Sequence, residues 1–229
     1  VRRVELPKEG GTVTHVVCDD EATLAYLAGQ ACITPHVWLS RADRLQYPDR
    51  LVFDLDPSGS DFAAVRATAR ALQELLDELG LVPFVQTTGS RGLHVVVPLE
   101  RSADFDEVRD FARAAADRVA AEDPDQRTTE ARKAKRRGRI YIDTMRNAYA
   151  QTTVAPYSVR ARPGAPVATP LEWRELGRVT ASRYTVANLA RRMARSTDPW
   201  RDMDRHARPL TLARDALDDL ERGRSRPAG

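Results

Sequence analysis

Long hydrophobic runs, cysteine and lysine are what this 229-residue chain lacks. No apolar run approaches the roughly 18 residues that a membrane-spanning helix needs, and no signal-peptide pattern opens the chain. Two cysteines, Cys18 and Cys32, are too few for a disulfide framework or a four-ligand zinc site. A reduced, cytoplasmic protein with no membrane partner is therefore expected. Only Lys8, Lys133 and Lys135 are lysines among 36 basic residues, an arginine bias that a GC-rich genome would also produce. No internal repeat is found. The chain opens on Val1 and not on methionine, so it is expected to be a fragment with something missing upstream.

What is present reads as an ordinary globular chain. Hydrophobic residues make up 42% and charged residues 30%, enough for a full core in one large domain or two small ones. The charge is polarised along the chain. Between Arg127 and Arg162 ten basic residues stand against Glu130 and Asp143, a local net of +8 in a chain whose total is +3. Such a field suits a polyanion such as nucleic acid or nucleotide phosphates; a solvated basic face is the plain alternative.

Periodicity then orders the chain. Thr14–Cys18 reads as a short strand, Asp20 as the cap of a helix running to Ala31, and His36–Leu39 as another strand. Arg50–Asp56 is a clearer strand, stopped by Pro57-Ser58-Gly59. Phe62, Val65, Ala69, Leu72, Leu76 and Leu79 recur at helical spacing up to Gly80. Strands over Val82–Thr87 and Leu93–Leu99 flank the tight segment Thr88-Gly89-Ser90-Arg91-Gly92, and Asp104 caps a second helix bearing Phe105, Val108, Phe111 and Val119. Arg139–Asp143 alternates as a half-buried strand does, and Thr152–Arg160 reads as a strand bent by Pro156. The order from Arg50 is β-α-β-β-α-β, which predicts an α+β fold: a split βαβ, mixed sheet with helices on one face. Short polar helices are expected near Tyr184–Met193 and Leu210–Leu220, with a frayed end over Gly223–Gly229.

Asp54 and Asp56 carry the sharpest chemical signal. Residues i and i+2 of a strand share a face, so both carboxylates project together while Leu55 points into the opposite layer. Two neighbouring carboxylates repel, a hard divalent cation relieves them, and removal of one should leave stability unchanged or higher. An EF-hand loop would need glutamate at its twelfth position, where Val65 stands, and a preceding helix. A haloacid dehalogenase-type phosphatase would add Ser58 but needs a later lysine and an acidic pair after a strand; Asp218-Asp219 lie in a polar helix. A two-metal phosphoryl-transfer site would take a third carboxylate from Asp143. Aspartates that merely end a strand are the structural alternative. The Thr88–Gly92 turn brings hydroxyls, glycines, Arg91 and His94 together without a Walker or dinucleotide pattern. Its backbone N–H groups, with Ser90 and His94, are placed to hold phosphate oxygens between strands expected to flank the aspartate strand. A plain hairpin turn with glycines at positive φ is the alternative. His36, on an apolar segment, reads alone as a core histidine, and Arg160 and Arg162 as either phosphate clamps or exposed cations.

Four segments occur in order: Asp49–Pro57, Thr88–His94, Tyr141–Asp143 and Val154–Arg160. Together they closely resemble the primase-polymerase domain of bacterial DNA ligase D, in the archaeo-eukaryotic primase superfamily, over roughly residues 4–175. The resemblance implies two Mg²⁺ or Mn²⁺ ions on the catalytic carboxylates Asp54, Asp56 and Asp143. It places Ser90, Arg91, His94, His36, Arg160 and Arg136 or Arg139 at the incoming nucleotide. Arg146 stands where some relatives have an uncharged polar residue. The implied activity is addition of ribo- or deoxyribonucleotides to a primer 3′-OH at gaps or broken DNA ends, alongside a separate ligase and end-binding proteins. No lysine stands in a ligase K-x-D-G setting, so a stand-alone or excised core is expected. That core is drawn over residues 1–175, with a helical extension over 176–229 packed against it. A phosphatase, or a nucleic-acid-binding module without catalysis, remains the alternative.

Overall fold

Val4 and Leu6 alternate with Arg3 and Glu5 within Arg2–Lys8, and this segment is strand β1, paired antiparallel with β2 (Gly11–Val17) in a separate hairpin. The sequence reading found only its second half, because Arg2, Arg3, Glu5 and Pro7 mask the alternation that ends on buried Leu6. The computed structural model describes residues 1–8, 10–59 and 61–224. Helix α1 (Glu21–Gly29) starts where the Asp20 carboxylate accepts from the Thr23 N–H at 2.6 Å. Strand β3 (His36–Trp38) follows.

The central elements are β4 (Arg50–Asp56), α2 (Phe62–Glu78), β5 (Phe84–Thr87), β6 (Leu93–Pro98), α3 (Phe105–Glu122), β7 (Arg127–Thr128) and β8 (Ile140–Asp143). Then come β9 (Thr152–Val154), β10 (Pro170–Leu171), α4 (Val186–Met193) and α5 (Leu210–Arg224). The main sheet runs β10-β5-β6-β4-β8-β7, antiparallel throughout except for β7 beside β8. Its inner order, β8-β4-β6-β5, is the split βαβ arrangement that the sequence predicts, with one short strand added at each edge. One expectation changes here. Only β6 of the two strands joined by the glycine turn touches β4; the other neighbour is β8.

Alternation along β4 decides what faces what. Leu51, Phe53 and Leu55 are fully buried beneath α2 and α3, against Leu72, Leu76, Phe111 and Val119, and Leu210, Ala213 and Leu217 of α5 join the same core. Burying each such side chain contributes about 1.5–3 kcal/mol. Val52 faces the other way, into a smaller cluster with Leu39, Val96, Phe105 and Met203. Asp54 and Asp56 share that second face. Beyond β8 the side chain of Asn147 takes over the ladder: its Oδ1 accepts from Val52 N–H and its Nδ2 donates to Val52 C=O, both at 2.8 Å.

The strand expected over Thr152–Arg160 stops at Val154, where β9 pairs with β3 in a small second sheet. Pro156 lacks a ladder donor and Tyr157 adopts φ +64, so the chain turns; Arg160 N–H then donates to Pro166 C=O at 2.7 Å. Of the stretch expected to fray, Gly223 and Arg224 belong to α5, and residues 225–229 lie outside the described residues. No helix among the described residues is long and apolar enough to cross a membrane.

Candidate active site

The register of the main sheet sets Asp54 opposite His94 on β6 and opposite Asp143 on β8. Directly paired residues point to the same face, so Asp54, Asp56 and Asp143 come together as the spacing alone could not show for Asp143. Gly92 makes this close pairing possible: a Cβ there would lie 2.0 Å from the Leu55 carbonyl oxygen. Gly89 needs both its φ of +62 and its lack of a side chain, since a Cβ would meet Arg160 Cγ at 2.8 Å. Thr88 Oγ1 closes the turn by accepting from Ser90 N–H at 3.2 Å and Gly92 N–H at 3.3 Å. Those two donors, expected to be free for phosphate, are thus already engaged.

Arginines answer the repulsion expected among the carboxylates. Asp56 receives Arg91 Nη2 at 3.3 Å and Arg136 Nη1 at 3.0 Å, and Arg136 lies 3.9 Å over the Tyr141 ring. Asp54 has His94 Nε2 at 3.5 Å and Arg146 Nε at 3.7 Å. Burial pushes the Asp54 carboxyl up, yet His94 and Arg146 together outweigh it and hold it below its ordinary value. Asp143 accepts from Tyr141 O–H at 3.2 Å and Met145 N–H at 2.8 Å. Burial first, then Asp143, pushes the Tyr141 phenol up to about 12, so it remains a donor.

The three carboxylates lie in an open cleft of about 270 Å³, whose walls carry His36, Thr88, Ser90, His94, Arg160 and Arg162. Five arginines (Arg91, Arg136, Arg146, Arg160, Arg162) against three aspartates leave the cleft at +2, which favours a polyanion. Burial, then Arg160 and Arg146, hold His36 below the usual imidazole range. Arg160 donates from Nη1 to Thr88 C=O at 3.3 Å, and burial, then Arg162, lower its affinity for the proton. Of the two basic residues expected here, Arg136 reaches the cleft and Arg139 does not. The Arg139 guanidinium donates to the carbonyls of Pro124, Lys135 and Arg136 and holds the loop before β8. Sequence reasoning named Thr88 and Tyr141 only as motif positions, did not single out Gln86 and left Arg146 open; all four lie within or directly behind the site.

Among the described residues no three His, Cys, Asp or Glu side chains converge closely enough to form a ready metal site. The donor chemistry nevertheless fits a hard divalent cation. Three carboxylates share one face, and two of them already draw cationic partners from Arg91, Arg136 and Arg146. The phosphatase reading loses its acidic pair, since Asp219 is ion-paired with Arg222 on the exposed side of α5. Ser58 donates its hydroxyl to Arg139 C=O, and the sheet is mainly antiparallel.

The model of the LigD primase-polymerase domain matches residues 1–200. The chain belongs to the LigD primase-polymerase family. A multifunctional non-homologous end joining protein LigD from Pseudomonas aeruginosa is 38% identical over 171 residues, covering 73% of this chain and 20% of that protein. The non-homologous end joining DNA repair protein LigD of Mycobacterium tuberculosis is 33% identical over 214 residues, covering 90% of this chain and 28% of the relative. The chain therefore spans between a fifth and somewhat more than a quarter of the length of these LigD proteins. A solved polymerase domain of Mycobacterium tuberculosis ligase D, in complex with DNA, superposes with a TM-score of 0.80 at 32% identity, over 90% of this chain and 75% of that one.

Proposed function

We propose that this chain is a metal-dependent nucleotidyltransferase that adds ribo- or deoxyribonucleotides to a primer 3′-OH on DNA, in repair of gaps or broken ends. The observation that carries the proposal is the in-register pairing of Asp54 with Asp143, with Asp56 alongside, inside a cleft of net positive charge. Membership of the LigD family and likeness to a polymerase domain in complex with DNA support the same reading. Asp54, Asp56 and Asp143 would hold two Mg²⁺ or Mn²⁺ ions. Bound there, the ions would supply positive charge for the attacking 3′-oxygen and the departing pyrophosphate.

The chain's own residues do the remaining work. Arg160 offers a planar, bidentate donor to phosphate oxygens, and Ser90, Arg91, His94 and His36 line the same wall. Arg136, braced by the Tyr141 ring and by the carbonyls of Glu130 and Ala131, fixes Asp56 in place. Arg139 acts on nucleotide only through the loop it holds. Catalysis is assigned to residues 1–175 and support of the core to residues 176–224. A DNA primer-template, nucleoside triphosphates, a separate ligase and end-binding proteins are the partners this role requires.

A primed template incubated with NTPs or dNTPs and Mn²⁺ or Mg²⁺ tests the proposal. Extension by the parent and its loss in Asp54→Asn are expected. Should the parent bind DNA yet extend nothing with either metal, the non-catalytic binding module replaces this reading.

A further inference from the structure

Gln86 sits within β5 with 2% of its surface exposed, directly across the ladder from His94. Its side-chain nitrogen Nε2 stands 3.2 Å from His94 Nδ1 and 3.4 Å from the Val154 carbonyl oxygen. That carbonyl decides which way round the amide lies. Val154 C=O can only accept, so the amide must present its NH₂ group there; the flipped amide would set oxygen against oxygen. An NH₂ group carries donors and no acceptor, so His94 Nδ1 accepts from it and bears no proton. The ring proton is then on Nε2, which lies 3.5 Å from Asp54 Oδ1 at the cleft.

Two further observations bear on the same amide. Gln86 Oε1 is buried with no hydrogen-bond partner. Buried acceptors are nearly always paired, so a glutamine kept here at that cost is held for what its NH₂ group does. Val154 is also the cross-strand partner of His36, so the amide ties the small sheet that carries His36 to the main sheet.

We infer that Gln86 is a positioning residue that locks His94 in the Nε2–H tautomer and commits its cleft-side nitrogen to donating. The inference rests on the nucleotidyltransferase reading for what that donor meets, an oxygen of the nucleotide's phosphate chain, but not for the tautomer itself. A ring held this way offers a preorganised hydrogen bond to an anionic oxygen, and its Nε2 serves neither as a metal ligand nor as a base.

NMR of protein labelled with ¹⁵N-histidine, at mildly alkaline pH, reads the proton position directly, since the two neutral tautomers give distinct ring-nitrogen patterns. The His94 signals are assigned by their loss in His94→Gln. The parent is expected to show the Nε2–H tautomer. Gln86→Met has nearly the same length and no donor, so its His94 signals should average between the tautomers. The KM for NTP should rise about three- to tenfold in that variant, with kcat less changed and DNA binding without nucleotide unaltered. A parent ring protonated on Nδ1 overturns the inference, as does a Gln86→Met protein that keeps both the single tautomer and the parent KM. If Gln86→Met does not fold, the parent spectrum decides. A parent with the Nε2–H tautomer but no nucleotide addition upholds the lock and overturns the nucleotidyltransferase reading instead.

Discussion

Substitution of Gly92 by alanine probes how tightly the aspartate strand and the glycine turn are fitted together. A Cβ at this position would lie 2.0 Å from the Leu55 carbonyl oxygen and 3.1 Å from its carbon, whereas ordinary contact begins at 3.4 Å. The obstacle is backbone, and Leu55 is fully buried in the main core, so neither side yields by a rotamer change. The ladder must open by more than about 1 Å at the Leu55–Leu93 pair, one step from Asp54 and His94. Overpacking of this kind costs about 3 kcal/mol. For a domain of this size that lowers Tm by about 6–12 °C. Misplacing a catalytic group by about 1 Å costs roughly 100-fold in rate, so nucleotide addition should fall by at least that factor. Gly177→Ala is the control: a Cβ there meets nothing within 4 Å, and both Tm and activity should hold. Thermal unfolding and primer extension read both effects. A Gly92→Ala protein with parental Tm and more than about a tenth of parental activity would refute the reasoning.

Asp54→Asn should abolish extension and also lower stability at neutral pH, since the carboxylate already has His94 and Arg146 as partners. This reverses the expectation from like-charge repulsion alone. Because the folded value lies below the ordinary 3.8, this contribution is present above 3.8 and lost as pH falls through the folded value; acid unfolding should be less steep in the variant. Ser90→Ala and Arg160→Ala should each raise the KM for NTP and lower kcat while leaving DNA affinity without nucleotide unchanged. Steady-state kinetics and a binding titration separate that outcome from a role in gripping DNA. DNA affinity should fall steeply with salt. Replacing the exposed Arg132, Lys133, Lys135 and Arg137 by alanine should flatten the log–log slope by about 0.9 for each phosphate that the protein no longer neutralises. An unchanged slope would mark that stretch as a solvated face.

The motif order in the sequence determined the family, and alternation along Arg50–Asp56 determined that Asp54 and Asp56 share a face away from Leu51, Phe53 and Leu55. Both are local facts: a strand's side-chain period and a helix's apolar stripe need no distant partner to be read. The tertiary structure alone decided the rest of the site. Asp143 faces Asp54 because β8 aligns with β4 in one register, and a one-residue slip would have turned it away. Arg136 and Arg139 lie three apart in the same basic stretch, yet one reaches Asp56 across 80 residues of chain while the other caps carbonyls of its own loop. Asn147 pairs with Val52 across 95 residues, and Gln86 reads as one more strand residue until His94 and Val154 are set around it. Pairings at such separations are fixed by how whole elements pack, and no spacing within the chain encodes which of several arginines or amides arrives.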